Sequence, residues 1–143
     1  MDKILLLFIM LFMHVFADYQ MQGILANMKQ KSWWKSQVPE VDKTKYKNDY
    51  KAALLAHSFE WAFVMMLPIL YNIYYRLWGF DTYSIITGSV YIALLISNTA
   101  IHYEIDDAKA NKKLLNLKED QLLHVGQVVF TWGAFIIAVK DFY

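Results

Sequence analysis

At 143 residues the chain has room for one compact domain, and a 57% hydrophobic composition with positive mean hydropathy places it in the membrane class. A formal net charge of +1 says nothing about partners, and no nucleic acid is expected among them. The absence of cysteine excludes disulfides, iron–sulfur clusters and thiolate metal sites, so any metal would be held by nitrogen and oxygen. A Gly-rich phosphate loop, a Gly-x-Ser-x-Gly elbow and zinc-finger spacing are also missing.

Four apolar stretches follow one another: about Ile4–Leu25, Ala52–Tyr75, Thr82–Tyr103 and Gln121–Val139. Each approaches the roughly 20 residues that carry a helix across a hydrocarbon core. The expected architecture is therefore all-α, a single four-helix transmembrane bundle spanning 1–143, with loops at about 26–51 and 104–120. Met1–Ala17 also resembles a signal peptide, with Val15-Phe16-Ala17 as a cleavage-like site. The apolar pattern continues through Met21 and Leu25, and the stripe His14, Asp18, Gln22 spans the cut, so a retained helix is expected. Pro68 should kink the second helix, and Gly88, Gly126 and Gly133 should let helices approach closely. Trp33-Trp34, between Lys31 and Lys35, reads as an interfacial anchor.

Lysine and arginine divide unevenly between the two ends of these helices. Lys3, Arg76 and Lys140 lie at one end; the other holds Lys29, Lys31, Lys35, the run from Lys43 to Lys51, Lys109, Lys112, Lys113 and Lys118. The positive-inside rule makes the second end cytoplasmic, so both termini are expected outside an inner membrane.

The histidines fall one per helix, each with a carboxylate three or four residues away: His14/Asp18, His57/Glu60, His102/Asp106 and Asp120/His124. Those offsets put each pair on one helical face. Following the helices through the alternating topology, all four pairs arrive at similar depth near the lysine-rich end, the pattern of a shared centre. Ionisable groups retained in apolar helices are functional candidates. The same stripes extend through Gln22, Asn98, Lys109 and Gln127, which would orient the ligands from behind. The hairpins also echo one another, His14-x-x-x-Asp18 with Leu54-Leu55-Ala56-His57 against His102-x-x-x-Asp106 with Leu122-Leu123-His124, as in a parallel repeat.

The blocks His14-Val15-Phe16-Ala17-Asp18-Tyr19-Gln20-Met21-Gln22 with Lys29 or Lys31 after it, Leu54-Leu55-Ala56-His57-Ser58, Asn98-x-x-x-His102-x-x-x-Asp106-x-x-Lys109 and Asp120-Gln121-Leu122-Leu123-His124 cover nearly the whole chain. In their order and spacing the chain resembles the small integral-membrane proteins of bacteria and phages grouped as domain of unknown function family 3307. The resemblance implies a polytopic membrane protein with an intramembrane His/Asp centre and brings no activity with it. Glu104-Ile105-Asp106-Asp107 is more acidic than that pattern, which leaves Glu104 and Asp107 as rivals to Asp106.

Imidazoles with carboxylates and no sulfur suit zinc, manganese(II) or iron(II). His14, Asp18, His57, His102, Asp106 and His124 are the expected ligands, with Asp120 as a ligand, an orienting group for His124 or a general base. Glu60 is assigned to the surrounding polar layer. The favoured chemistry is metal-assisted hydrolysis of an amphipathic or lipid-like substrate at the bilayer surface. Two alternatives remain. One is a non-catalytic membrane regulator or partner; the other is a small metal- or proton-handling transporter, against which the apolar outer halves Leu5–Leu11, Ala62–Leu70, Ile85–Ile92 and Phe135–Val139 argue.

Overall fold

The structure is a computed structural model, and the residues described are 2–76 and 82–139. Among the described residues it is all-α, with six α-helices: α1 (Lys3–Phe16), α2 (Leu25–Met28), α3 (Lys31–Gln37), α4 (Asp49–Arg76), α5 (Thr82–Ala110) and α6 (Leu117–Ala138). Among the described residues, α1 with its continuation to Met21, α4, α5 and α6 are long and apolar enough to cross a membrane. The chain is thus built as a membrane protein. Lys140, Tyr143 and the Arg76 side chain, which the sequence assigns to the end without the lysine cluster, lie outside the description.

Local chemistry fixes the helix ends. Asp2 caps α1 by accepting from the backbone N–H of Ile4 and Leu5 at 2.8 and 3.1 Å. Asn116 and Glu119 form a reciprocal capping box at the start of α6. At the end of α5, Lys113 adopts φ +58°, the left-handed closure usually given to glycine, and Leu114 N–H returns to the Ala108 carbonyl at 2.9 Å. α5 therefore continues to Ala110, and the expected loop at about 104–120 contracts to the stretch before Leu117. α4 continues through Pro68, which withholds a donor from the turn before it.

The long helices form a ring in which α4 packs on α1 and α5, and α6 packs on α5 and α1. Neighbours run in opposite directions, so the C-terminal ends of α1 and α5 meet the N-terminal ends of α4 and α6. α4 is the most enclosed, with 61% of its apolar span buried against 22–28% for the other three. Trp61, Met65, Met66 and Ile69 of α4 meet Leu6 and Met10 of α1 and Val128 and Phe135 of α6 in the core. Phe8, Phe12, Ile85, Ile96, Leu122 and Phe130 face outward, a far larger apolar exposure than a water-soluble monomer carries. A Cβ added at Gly88, Gly126 or Gly133 would meet nothing within 4 Å. The expected close-approach role of these glycines is therefore not realised.

Beyond α1 the chain makes one π-helical turn, Ala17–Met21, and then folds α2 and α3 back across the end of the bundle. This cap is tied down by Asn111, whose side chain donates to the Lys29 carbonyl at 3.1 Å and accepts from Lys31 N–H at 2.8 Å. Trp34 donates to the Met28 carbonyl at 2.7 Å and stacks on Tyr46, so the aromatic pair expected at the interface also braces the cap.

Candidate metal centre

Beneath the cap the four helices bring His14, Asp18, His57, His102, Asp106, Asp120 and His124 into one buried region. Asp106 is its middle. One oxygen, Oδ2, lies 3.3 Å from His57 Nε2 and 3.7 Å from His102 Nε2, and these two nitrogens are 3.2 Å apart. The other oxygen, Oδ1, lies 3.4 Å from His124 Nε2, which is also 3.5 Å from Asp120 Oδ1. Asp18 Oδ1 stands 3.9 Å from His57 Nε2. Two sets of donors, Asp18 with His57 and His102, and His102 with Asp106 and His124, lie close enough to share an ion.

Each carboxylate is held by polar partners, and Gln121 donates to two of them, Asp18 and Asp120. Lys29 reaches from the cap to Asp106 Oδ2 at 2.6 Å, and Lys109 reaches one helix over to Asp120 Oδ2 at 2.5 Å. Asp18 has amides in place of an ammonium: Gln22 donates to Oδ1 at 2.5 Å and Gln121 to Oδ2 at 2.6 Å. Buried carboxylates need such partners, since an unpaired ion away from water costs several kcal/mol.

Trp61 organises the rings. Four residues after His57 and fully buried, it stacks on His102 with centroids 4.2 Å apart, and His102 in turn stacks on His124 at 4.2 Å. The Nδ1 atoms of His102 and His124 have no hydrogen-bond partner among the described residues. Stacking thus takes the place of the second-nitrogen hydrogen bond that usually orients a ligating imidazole. Trp61 also donates its indole N–H to His14 Nδ1 at 3.0 Å. His14 lies at the edge of the group, its ring 6.0 Å from that of His124 and outside both ion-sized sets.

The remaining expected residues sort themselves by face. Glu60 is half-buried on the flank of α4 and makes no ion pair with His57, whose carboxylate neighbours are Asp18 and Asp106 instead. Glu104 and Asp107 turn outward to Lys112 at 3.4 and 3.0 Å, which removes them as rivals to Asp106. The Asp107 contact holds the Lys112 ammonium above the usual lysine pKa. Asn98 and Gln127 bond one another rather than the histidines: the Gln127 amide donates to the Asn98 carbonyl and Oδ1 at 2.8 Å, and Thr131 donates to the same Oδ1 at 2.9 Å. That clasp locks α5 to α6 one turn deeper than the site.

Comparison with known proteins adds no assignment. No family model, curated protein or solved structure matches the chain. The chemistry has to be read from the side chains. A pocket of about 270 Å³ leads from Asp106 out beneath the cap, walled by Gln22, Lys29, Gln30, Lys109 and Lys113. Sequence reasoning missed Trp61, Gln121 and the inward role of Lys29. The first had a signal, the four-residue spacing from His57 that puts both on one face.

Proposed function

We propose that the chain is a multi-pass protein of the cytoplasmic membrane that binds a divalent metal at its His/Asp centre and uses it to hydrolyse an amphipathic substrate. The observation that carries this reading is the triangle of His57 Nε2, His102 Nε2 and Asp106 Oδ2, with edges of 3.2, 3.3 and 3.7 Å. Ligands about 2.0–2.2 Å from a tetrahedral ion stand roughly 3.3–3.6 Å from one another. The nitrogen and oxygen donors suit zinc, manganese(II) or iron(II). A metal bound there would supply an acidified water and a Lewis acid. Asp18 adjoins the triangle as a further ligand, and Lys29 holds the Asp106 carboxylate from behind. Asp120, whose Oδ1 has no hydrogen-bond partner among the described residues, is placed to ligate, to orient His124 or to take a proton from water.

The lysine-rich end, where the centre lies, faces the cytoplasm under the positive-inside rule, with both termini outside. Three lysines around the pocket suit a substrate with an anionic head group and an apolar body lying in the bilayer. On its residue blocks alone we also assign the chain to domain of unknown function family 3307.

One observation favours a second reading, proton handling. Lys29 and Lys109 already neutralise Asp106 and Asp120 without a metal. Metal analysis of protein purified in detergent after growth with zinc, manganese or iron separates the two. The hydrolase reading expects stoichiometric metal in the wild type, its loss in His102→Ala, and retention in Lys45→Ala. Wild-type protein that holds no metal under any supplement leaves the proton-handling reading.

A further inference from the structure

We infer that the centre is built for two cations bridged by Asp106, the second seated between His124 Nε2, Asp106 Oδ1 and Asp120 Oδ1. This rests on the metal reading above and adds a position to it.

His124 Nε2 is fully buried and has no hydrogen-bond partner among the described residues, and the same holds for Asp120 Oδ1. The nitrogen lies 3.4 Å from one carboxylate oxygen and 3.5 Å from another. Both distances exceed the 2.7–2.9 Å to which an imidazolium would draw a carboxylate. They match the separation of ligands around a shared ion.

The lysines leave this place open. Lys29 takes Asp106 Oδ2 and Lys109 takes Asp120 Oδ2, so the oxygen turned toward His124 is Oδ1 in both aspartates. Asp106 therefore offers one oxygen to the His57/His102 position and the other to the His124/Asp120 position, as a bridging carboxylate does in paired-metal sites about 3.5–4 Å across. Charge sets a condition: three carboxylates and two ammoniums leave a net negative charge on the centre, which two dications would more than reverse, so the pair would call for a further anion such as hydroxide or an anionic substrate entering the lysine-walled pocket.

The test is manganese(II) titration of metal-stripped full-length protein in nanodiscs, followed by bound-metal counting and electron paramagnetic resonance. The inference expects two equivalents and a spin-coupled signal in the wild type. Asp120→Asn, which keeps a polar group for Lys109, should bind one equivalent with an uncoupled signal, and His57→Gln should also fall to one. A wild type that saturates at one equivalent overturns the second position and leaves the metal reading standing. Two uncoupled equivalents overturn the Asp106 bridge. Two coupled equivalents in Asp120→Asn overturn the assignment of Asp120, and no binding at all overturns both readings.

Discussion

The two hairpins, α1 with α4 and α5 with α6, carry the same His-x-x-x-Asp and Leu-Leu histidine blocks, yet the structure uses them differently. In the second, an unbroken α-helix keeps Asp106 on the face of His102, and Oδ2 lies 3.7 Å from that ring nitrogen. In the first, the π turn Ala17–Met21 begins between His14 and Asp18, and Asp18 comes to His57 instead. The position four residues after the returning histidine is Trp61 in the first hairpin and Val128 in the second. Trp61 occupies His14 and stacks on the second hairpin's rings, while Val128 fills core. Both hairpins thus supply donors, His57 and Asp18 from the first and His102, Asp106, Asp120 and His124 from the second, while the first alone adds the ring platform and the cap. A π turn inside an α-helix is a frequent mark of a functional site.

Exchanging the two central aspartates gives the largest expected contrast. Asp106→Ala should cost about 3–5 kcal/mol, because it strands the buried Lys29 ammonium. Asp18→Ala removes hydrogen bonds from neutral amides and should cost about 1–3 kcal/mol. Denaturation in detergent would rank them; equal losses would erase the distinction between the hairpins.

Making the first hairpin match the second by Trp61→Val should cost about 3 kcal/mol, near the lower end for large-to-small core changes. It should also weaken metal binding, since His102 and His124 lose their platform, with metal affinity as the readout. The lysines come next. Lys29→Met leaves Asp106 without its ammonium in a buried setting and should destabilise clearly more than Lys109→Met, whose side chain is a third exposed and screened by water. The smallest effect belongs to Glu60→Gln, within about 0.5 kcal/mol and without change in metal content. A large loss there would return Glu60 to the centre.

Helical periodicity made the four spans legible, along with the pairing of His102 with Asp106 and of Asp120 with His124, because these depend on neighbours within one helix. The cross-helix partners were not legible. No spacing rule says that His57 turns to Asp18 and Asp106 rather than to Glu60, or that Lys29 crosses to Asp106. The π turn was hidden for a similar reason: it shifts the facing of Asp18 without leaving a proline or glycine in Ala17–Met21. The outward turn of Glu104 and Asp107 follows from helical phase, since positions two and five residues after His102 leave its face, and Lys112 then meets them there.

Lys29 precedes Asp106 by 77 positions. A ribosome therefore delivers the ammonium well before the carboxylate it serves. The first hairpin can settle in the bilayer with Asp18 held by its own Gln22, whereas the second enters with Asp106 still lacking its strongest counter-ion. The ion pair then acts as a timetable: the earlier half of the chain is the prepared receiver, and the later half becomes a finished part of the bundle only on docking beneath the cap.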